Sequence, residues 1–422
     1  MLRREDNERL TRTGPGTVCG NLMRRYWIPA LLSSELPDPD CAPVRIRLLS
    51  EDLVAFRMTD GAVGLVDEKC PHRGASLFFG RNEDCGIRCI YHGWKFDRDG
   101  KCLETPNEPE ESRIGAQVRL RAYPCVEAGG VVWTYMGPPD KKPPFQSQEW
   151  TRAPEGARFV IKNLAESNYL QMMEGGFDSS HSSFLHRTMD LERDGGKTWT
   201  YRIQARAPKL DVQITDFGYA YASLRDLEKT DEHYVRVVQY IMPFHQFRAI
   251  DDAARRSMVH GHIWVPIDDE NCWVWSWMYA KDGKDLTPDF IEKTERIGGR
   301  SSEFFVPGTF RMKQNRGNDY LIDREEQRTR SFTGIKGIGP QDQAAQESMG
   351  RIADRTIEHL GMSDVAVVHL RRLLMQACQD IEEGREPRGS LLPSINVRPV
   401  EKVLKKSETW HVALQSDMTA VL

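Results

Sequence analysis

Four residues in two short loops constrain this chain more than anything else in it. They are Cys70 and His72 in Cys70-Pro71-His72-Arg73-Gly74, and Cys89 and His92 in Cys89-Ile90-Tyr91-His92-Gly93-Trp94. A Cys-x-His pair and a Cys-x2-His pair thus stand with 16 residues between His72 and Cys89. Two thiolates and two imidazoles so spaced are the ligand set of a Rieske [2Fe–2S] cluster, in which two His replace two Cys on one iron. Pro71 and Gly74 punctuate the first loop, and Gly93 lets the second bend back beside it. The alternative for the same residues is a structural Cys2His2 zinc site. Zinc fingers bring Cys-x2-4-Cys first and His-x3-5-His later, so a mixed pair in each loop argues against zinc.

A cluster that only moves electrons needs a fold around it and a reason to be there. The chain has 422 residues, long enough for two or three domains. Hydrophobic content of 39% and charged content of 28% describe an ordinary globular protein, and a net charge of −4 offers no footprint for nucleic acid. No run approaches the roughly 20 apolar residues of a membrane span, and the start, Arg3-Arg4-Glu5-Asp6, lacks the apolar stretch of a signal peptide. The nine cysteines follow no disulfide pattern, and Cys19, Cys41, Cys85, Cys102, Cys125, Cys272 and Cys378 read as free thiols. A cytoplasmic protein is expected.

The pattern along the chain indicates an α+β protein in three parts. Residues 1–42 read as an N-terminal helical segment packing on the larger domain. Residues 43–143 form a small all-β domain, with short runs such as Val44–Leu49, Leu53–Arg57, Val63–Val66 and Gly130–Met136 and Asp-Gly turns at 60–61 and 99–100. Gly137-Pro-Pro-Asp-Lys-Lys-Pro-Pro144 is a stiff linker. Residues 144–422 carry the alternating pattern of a central antiparallel sheet flanked by helices, with strands expected at 199–203, 210–214, 234–240, 260–265 and 272–277. Helices are expected from Ser167 to Glu174, stopped by Gly175-Gly176; from near Asp178; from Thr287-Pro288; from Asp342 to Leu360; and from Ser363 to Glu383. The pattern leaves the tail after 385 unplaced.

The larger domain supplies a second candidate metal site in Asp178-Ser-Ser-His181-Ser-Ser-Phe-Leu-His186. His181 and His186 stand about 140° apart around an ideal helix, so a bend is needed to aim both rings at one atom. Asp178 falls between them and can accept from the outer N–H of either ring, as carboxylates beside metal-bound His do. Two His and one carboxylate with open positions make the facial triad of a non-haem Fe(II) oxygenase, and Asp342 is the best third ligand. The competing reading has Asp178 and Asp342 as helix caps and both histidines satisfied in the core. His260-x-His262 is a rival pair, on one side of a strand.

These motifs together resemble the terminal oxygenase component of the Rieske non-haem iron ring-hydroxylating oxygenases, and within them the phthalate dioxygenase group. The matching stretches are Thr13-Gly-Pro-Gly-Thr17, Arg24-Arg-Tyr-Trp-Ile-Pro29, residues 70–94, Asp178-x2-His181-x4-His186, and the run from Asp319 through Ser331–Ile335 and Gln341-Asp342 to Gly350. One departure is Glu174, where naphthalene-type enzymes often have Asn. The resemblance implies that Cys70 and Cys89 hold one cluster iron and His72 and His92 the other. It implies a mononuclear Fe(II) on His181, His186 and Asp342. It implies that Asp178 bridges His181 to His92 of a neighbouring subunit, in a trimer or stacked trimers. It implies electrons from NAD(P)H through a separate flavin/iron-sulfur reductase, and O2 adding to the ring to give a cis-dihydrodiol.

The subgroup suggests an aromatic carboxylate as substrate, of phthalate, isophthalate, halobenzoate or phenoxybenzoate type, which needs a cation in an apolar cleft. Arg206, Lys209 and Arg236 are the candidates. The same metal centres also support monooxygenation or O-demethylation of an aromatic acid. A Rieske ferredoxin needs only part of this length, and a non-catalytic zinc-stapled protein would lack iron and sulfide.

Overall fold

The computed structural model describes residues 1–188, 201–202, 205–228, 230–251 and 257–420. Two four-stranded sheets make the cluster-bearing domain. One runs Val44–Leu48, Glu51–Arg57, Val63–Asp67, Ala122–Tyr123 in spatial order; the other runs Arg81–Glu83, Gly86–Arg88, Lys95–Phe96, Cys102–Glu104. The Asp-Gly turns fall where expected, with Gly61 and Gly100 at φ of 85° and 76°. A Cβ on Gly100 would lie 1.9 Å from the Leu120 carbonyl oxygen, so glycine is obligatory there. Val54, Phe56, Leu77, Ile87 and Phe96 form a small core, and Cys70 and Cys89 are buried in it.

A third sheet changes the expectation for residues 1–42. Helices Arg4–Thr11 and Val18–Met23 form, but Trp27–Leu32 is a strand, fully buried and antiparallel to Val131–Tyr135, which pairs on with Cys125–Ala128. Six apolar residues in a row lack the alternation of a half-buried strand because both faces are covered. Beneath it, buried Arg24 meets Glu51 at 2.7 Å, and Glu51 accepts from the Tyr123 hydroxyl at 2.5 Å. That buried ion pair joins the N-terminal segment to the cluster domain.

One eight-stranded antiparallel sheet organises the larger domain. Its order is Arg158–Ala165, Cys272–Ala280, Ser257–Pro266, His245–Asp251, Glu232–Ile241, Gly218–Asp226, Lys209–Ile214, with Val400–Lys405 also pairing Glu232–Ile241. That last strand places the tail. The strand expected at 199–203 lies outside the described residues except for Tyr201 and Arg202. Register decides the faces. Val238 stands opposite Arg248, Arg248 opposite His260, and His260 opposite Met278, so these side chains share one face. The other face carries Phe247 and Trp277. Trp277 stacks on Trp150 with centroids 5.0 Å apart, and Trp150 meets Trp133 of the third sheet. Aromatics bury about 150–250 Å² each, so this seam holds the two sheets together.

Helices Tyr169–Phe177 and Ile338–Ser348 belong to the first face, and both differ from expectation. The first does not stop at Gly175-Gly176 but runs through to Phe177. Its glycines permit close approach: a Cβ on Gly175 would lie 1.9 Å from Gln346 Nε2, and one on Gly176 2.3 Å from the Trp264 ring. Packing overrides the weak helix propensity of glycine. The second helix begins before Asp342 and ends at Ser348, with Gly350 following at φ 100°. Asp342 is therefore inside the helix rather than at its cap. The long helix Val365–Glu382 matches its expected span.

Glu174 has a structural role. Arg355 and Arg371 contact its carboxylate at 2.9 and 2.6 Å, and Arg355 also donates to Asn7 Oδ1 at 3.0 Å. Burial would raise the Glu174 pKa, but the two guanidiniums overcome it and hold the group below the usual carboxylate range. One carboxylate thus ties together the N-terminal helix, the long helix and the helix leading into Asp178.

Candidate metal centres

The two cluster loops are built alike. In each, the Cys N–H donates to the carbonyl five residues on, Cys70 to Ala75 and Cys89 to Trp94, both at 2.8 Å. In each, a glycine four residues on donates back to the Cys carbonyl, Gly74 at 2.8 Å and Gly93 at 3.0 Å. Both glycines stand at φ 76°, a left-handed geometry that side chains resist. The thiols point into the small core, and burial, with Cys89 alongside, pushes Cys70 up to about 11. The imidazoles lie at the rim, with ring centroids 4.5 Å apart. His72 stacks at 4.4 Å on Trp94, whose Nε1 donates to Asn107 Oδ1 at 2.6 Å. His72 Nδ1 is buried without a hydrogen-bond partner.

The second site assembles from two distant segments. His181 sits on a 3-10 turn, His181–Ser183, and Phe184 leaves helical geometry at φ −121°, ψ −66°. This break resolves the 140° problem: the two Nε2 atoms come within 3.2 Å, with the rings nearly perpendicular. Asp342 Oδ1 reaches His186 Nε2 at 3.2 Å and His181 Nε2 at 3.6 Å. Among the described residues these three are the one group of His, Cys, Asp or Glu donors gathered within 4.8 Å. A Cys and a His in each loop suit the two irons of a Rieske cluster. Asp342 Oδ1 is buried without a hydrogen-bond partner, as a donor awaiting a cation would be. Both donor sets fit their metals.

Charge within the second site is balanced by position. Burial would raise Asp342, yet His186, His181 and Arg248 hold its pKa below the ordinary value. Burial lowers His181, with Asp342 and Asp178 opposing. For His186 burial also lowers, but Asp342 and Gln341 prevail and the net shift is upward. Asp178 Oδ1 accepts from Ser180 N–H and hydroxyl, both at 2.7 Å, while Oδ2 lies 3.7 Å from His181 Nδ1. Asp178 therefore caps its turn and faces the ring at once, half-exposed at the surface.

Two residues escaped the sequence reading. Gln341 Oε1 lies 2.7 Å from His186 Nδ1. Arg248 shares the sheet face with His260, its Nε is buried, and among the described residues it has no hydrogen-bond or ion-pair partner. Burial pushes Arg248 down to about 9, Arg236 and Arg300 add to this, and Asp342 opposes. The available signal was a buried strand, His245-Gln-Phe-Arg248, with polar residues at alternate positions.

The sequence candidates for the carboxylate fare unequally. Arg236 is committed to Glu401, 2.9 Å away in a buried pair shared with Arg202, so its charge is spent. Lys209 is exposed on the outermost strand. Arg206 is exposed too, 5.7 Å over the ring of Phe184. The rival His260 and His262 share the catalytic face but join no donor group among the described residues. Burial, then Arg248, drives both well below the ordinary histidine value, and His262 Nδ1 is 3.0 Å from the Ser276 hydroxyl.

Comparison with known proteins agrees with this geometry. The Rieske [2Fe-2S] domain family matches residues 26–124, and the LigXa C-terminal domain like family matches residues 134–420. The chain is 37% identical to the phthalate 4,5-dioxygenase oxygenase subunit of Pseudomonas putida, covering 97% of this chain and 94% of that one. It is 37% identical to the 3-chlorobenzoate-3,4-dioxygenase oxygenase subunit of Comamonas testosteroni, covering 94% and 92%. Among solved structures, Pseudomonas putida CBB5 NdmB superposes with a TM-score of 0.63 at 19% identity, over 90% of this chain and 97% of that one. Among the described residues no helix is long and apolar enough to cross a membrane. Two metal-ligand sets on two matching domains, with full-length relatives, place the chain in the Rieske non-haem iron ring-hydroxylating oxygenases, as an oxygenase component of the phthalate dioxygenase group.

Proposed function

We propose that this oxygenase component hydroxylates the ring of an aromatic carboxylate, and that Arg248 anchors the carboxylate beside the mononuclear site. One observation carries the reading: Arg248, its Nε buried and without a partner among the described residues, shares a sheet face with His260 and feels the charge of Asp342. A buried cation without a counter-charge is costly, and a bound carboxylate would relieve it with a bidentate pair. Arg206, exposed beside Phe184, suits a first contact at the surface rather than the anchor. The named activities of relatives support the class: phthalate, 3-chlorobenzoate and, at 29% identity, phenoxybenzoate dioxygenases.

Cys70, His72, Cys89 and His92 would hold the cluster, and His181, His186 and Asp342 would hold the mononuclear iron. When bound, these metals supply single-electron delivery and reductive activation of O2, with electrons drawn from NAD(P)H by a separate flavin/iron-sulfur reductase. The chain's own task is placement: Arg248 fixes the acid, the Tyr219, Tyr221, Tyr240 and Trp264 surface packs Phe177 and keeps the helix before Asp178 in register, and Asp178 presents a carboxylate to His181. His92 lies at a rim with Ile90 and Tyr91 exposed. Asp178 is half-exposed as well, and the two meet in a ring of copies, a trimer or stacked trimers, where Asp178 bridges His92 of one subunit to His181 of the next.

A panel of aromatic acids with a matched reductase, scored by product mass, tests this. Addition of two oxygen atoms to the ring supports cis-dihydroxylation. A single oxygen or a lost methyl supports the second reading, which an O-demethylase relative at 30% identity favours. Arg248→Gln should raise KM for every turned-over acid by about 10-fold or more, as loss of a charged hydrogen bond of roughly 1.5–3 kcal/mol implies. Unchanged KM would remove Arg248 from the anchor role.

A further inference from the structure

We propose that Gln341 is a positioning residue of the mononuclear centre: its amide fixes which nitrogen of His186 faces the metal and ties that ring to the loop 331–335. The inference rests on reading His181, His186 and Asp342 as iron ligands.

The Gln341 amide can lie only one way round. One end is 2.8 Å from the Ile335 carbonyl oxygen, which can only accept, so the NH2 group faces it. That leaves Oε1 at 2.7 Å from His186 Nδ1. An amide oxygen also only accepts, so Nδ1 carries the proton. In the neutral ring Nε2 is then bare, and Nε2 is the atom 3.2 Å from both Asp342 Oδ1 and His181 Nε2. His181 differs: its Nδ1 makes no hydrogen bond, and the Asp178 carboxylate lies 3.7 Å away. Of the two rings, only His186 is held by a hydrogen bond at its outer nitrogen.

The same amide reaches a loop built to stay in place. Phe332 N–H donates to the Arg187 carbonyl at 2.9 Å, and Thr188 forms a β-bridge with Ser331. The Phe184 and Phe332 rings, both exposed, meet edge-on at 6.1 Å. Gly334 holds φ 70°, and its N–H is fixed by the Ser331 hydroxyl at 2.9 Å. The segment bearing His186 and the loop 331–335 are therefore zipped together, and Gln341 closes the gap between them. A displacement of that loop would be felt at the metal-facing nitrogen through one side chain.

The test uses the full-length protein stripped of its mononuclear metal and titrated with Co(II), read by the visible absorption of the bound ion. Gln341→Leu keeps the bulk and removes the acceptor. It should lose about 10- to 100-fold in Co(II) affinity, the usual cost of removing a group that orients a metal-bound histidine, with the cluster's visible spectrum unchanged. Gln341→Glu, which restores an acceptor for Nδ1 but cannot donate to the Ile335 carbonyl, should bring part of the affinity back. Wild-type Co(II) affinity and spectrum in Gln341→Leu would overturn the proposal, as would a loss that Gln341→Glu does not rescue. His181→Ala separates the two levels. If it too binds Co(II) normally, the ligand reading itself has failed; if it abolishes binding while Gln341→Leu does not weaken it, only the Gln341 role has.

Discussion

The two proposed metal sites are made in opposite ways. The cluster loops are local: each is closed by its own backbone, with a left-handed glycine at the same position and the cysteines buried in a small core of their own domain. The mononuclear site is a product of packing. His181 and His186 come from a broken turn after one helix, Asp342 comes from the second turn of another, and the two helices meet because Gly175 leaves room for Gln346. A local site tolerates disturbance elsewhere; a packed site is exposed to every element that supports it. Variants that strain the packing should therefore separate the two centres.

The largest separation should come from Glu174→Gln. The change leaves buried Arg355 without a carboxylate, while Arg371 keeps Glu358; removing one partner of a buried ion pair costs about 3–5 kcal/mol, visible as a lower unfolding midpoint with preferential loss of the mononuclear metal. The pH dependence has a definite sign. The folded pKa of Glu174 is depressed, so its contribution is complete above the unfolded value near about 4.3 and is lost as pH falls through the lower folded value. Glu174→Gln should flatten that acid limb. Equal unfolding midpoints in acid and neutral titrations of both proteins would show that the clasp does not support the site.

Gly176→Ala should have a smaller and more selective effect. The added methyl would lie 2.3 Å from the Trp264 ring, and overpacking of this kind costs about 1–3 kcal/mol. Iron bound per chain at the mononuclear site should fall while acid-labile sulfide stays at two per cluster. Parallel loss of both would mean that the centres are not independent. Lys209→Ala should do least, with stability within about 0.5 kcal/mol and an unchanged KM, because that ammonium is exposed on the far edge of the sheet.

The same contrast decides what the sequence revealed. The cluster loops are legible because ligand spacing and turn glycines lie within a few residues of each other. His181, His186 and Asp342 are legible as residue types, but their convergence depends on Phe184 leaving helical geometry, which no pattern announces. Gly175 and Gly176 mislead for a physical reason: glycine ends a helix or lets one come close, and only the neighbour decides which. Arg236 looked available because Glu401 lies 165 positions away on the strand that closes the sheet. Arg248 stayed hidden because an arginine on a buried strand normally has an acid opposite it, and here it has His260 and Val238.

In the proposed ring of copies, the cluster of one copy serves the iron of another through Asp178. Co-assembly of two inactive variants tests it most directly. Cys70→Ala lacks the cluster and keeps the mononuclear iron; His181→Ala lacks the iron and keeps the cluster. In a randomly mixed ring of head-to-tail copies, roughly a quarter of the interfaces join a working cluster to a working iron. Hydroxylating activity should return in the mixture, and Asp178→Asn in the Cys70→Ala partner should abolish it again. Mixed oligomers that form yet stay inactive would contradict the account.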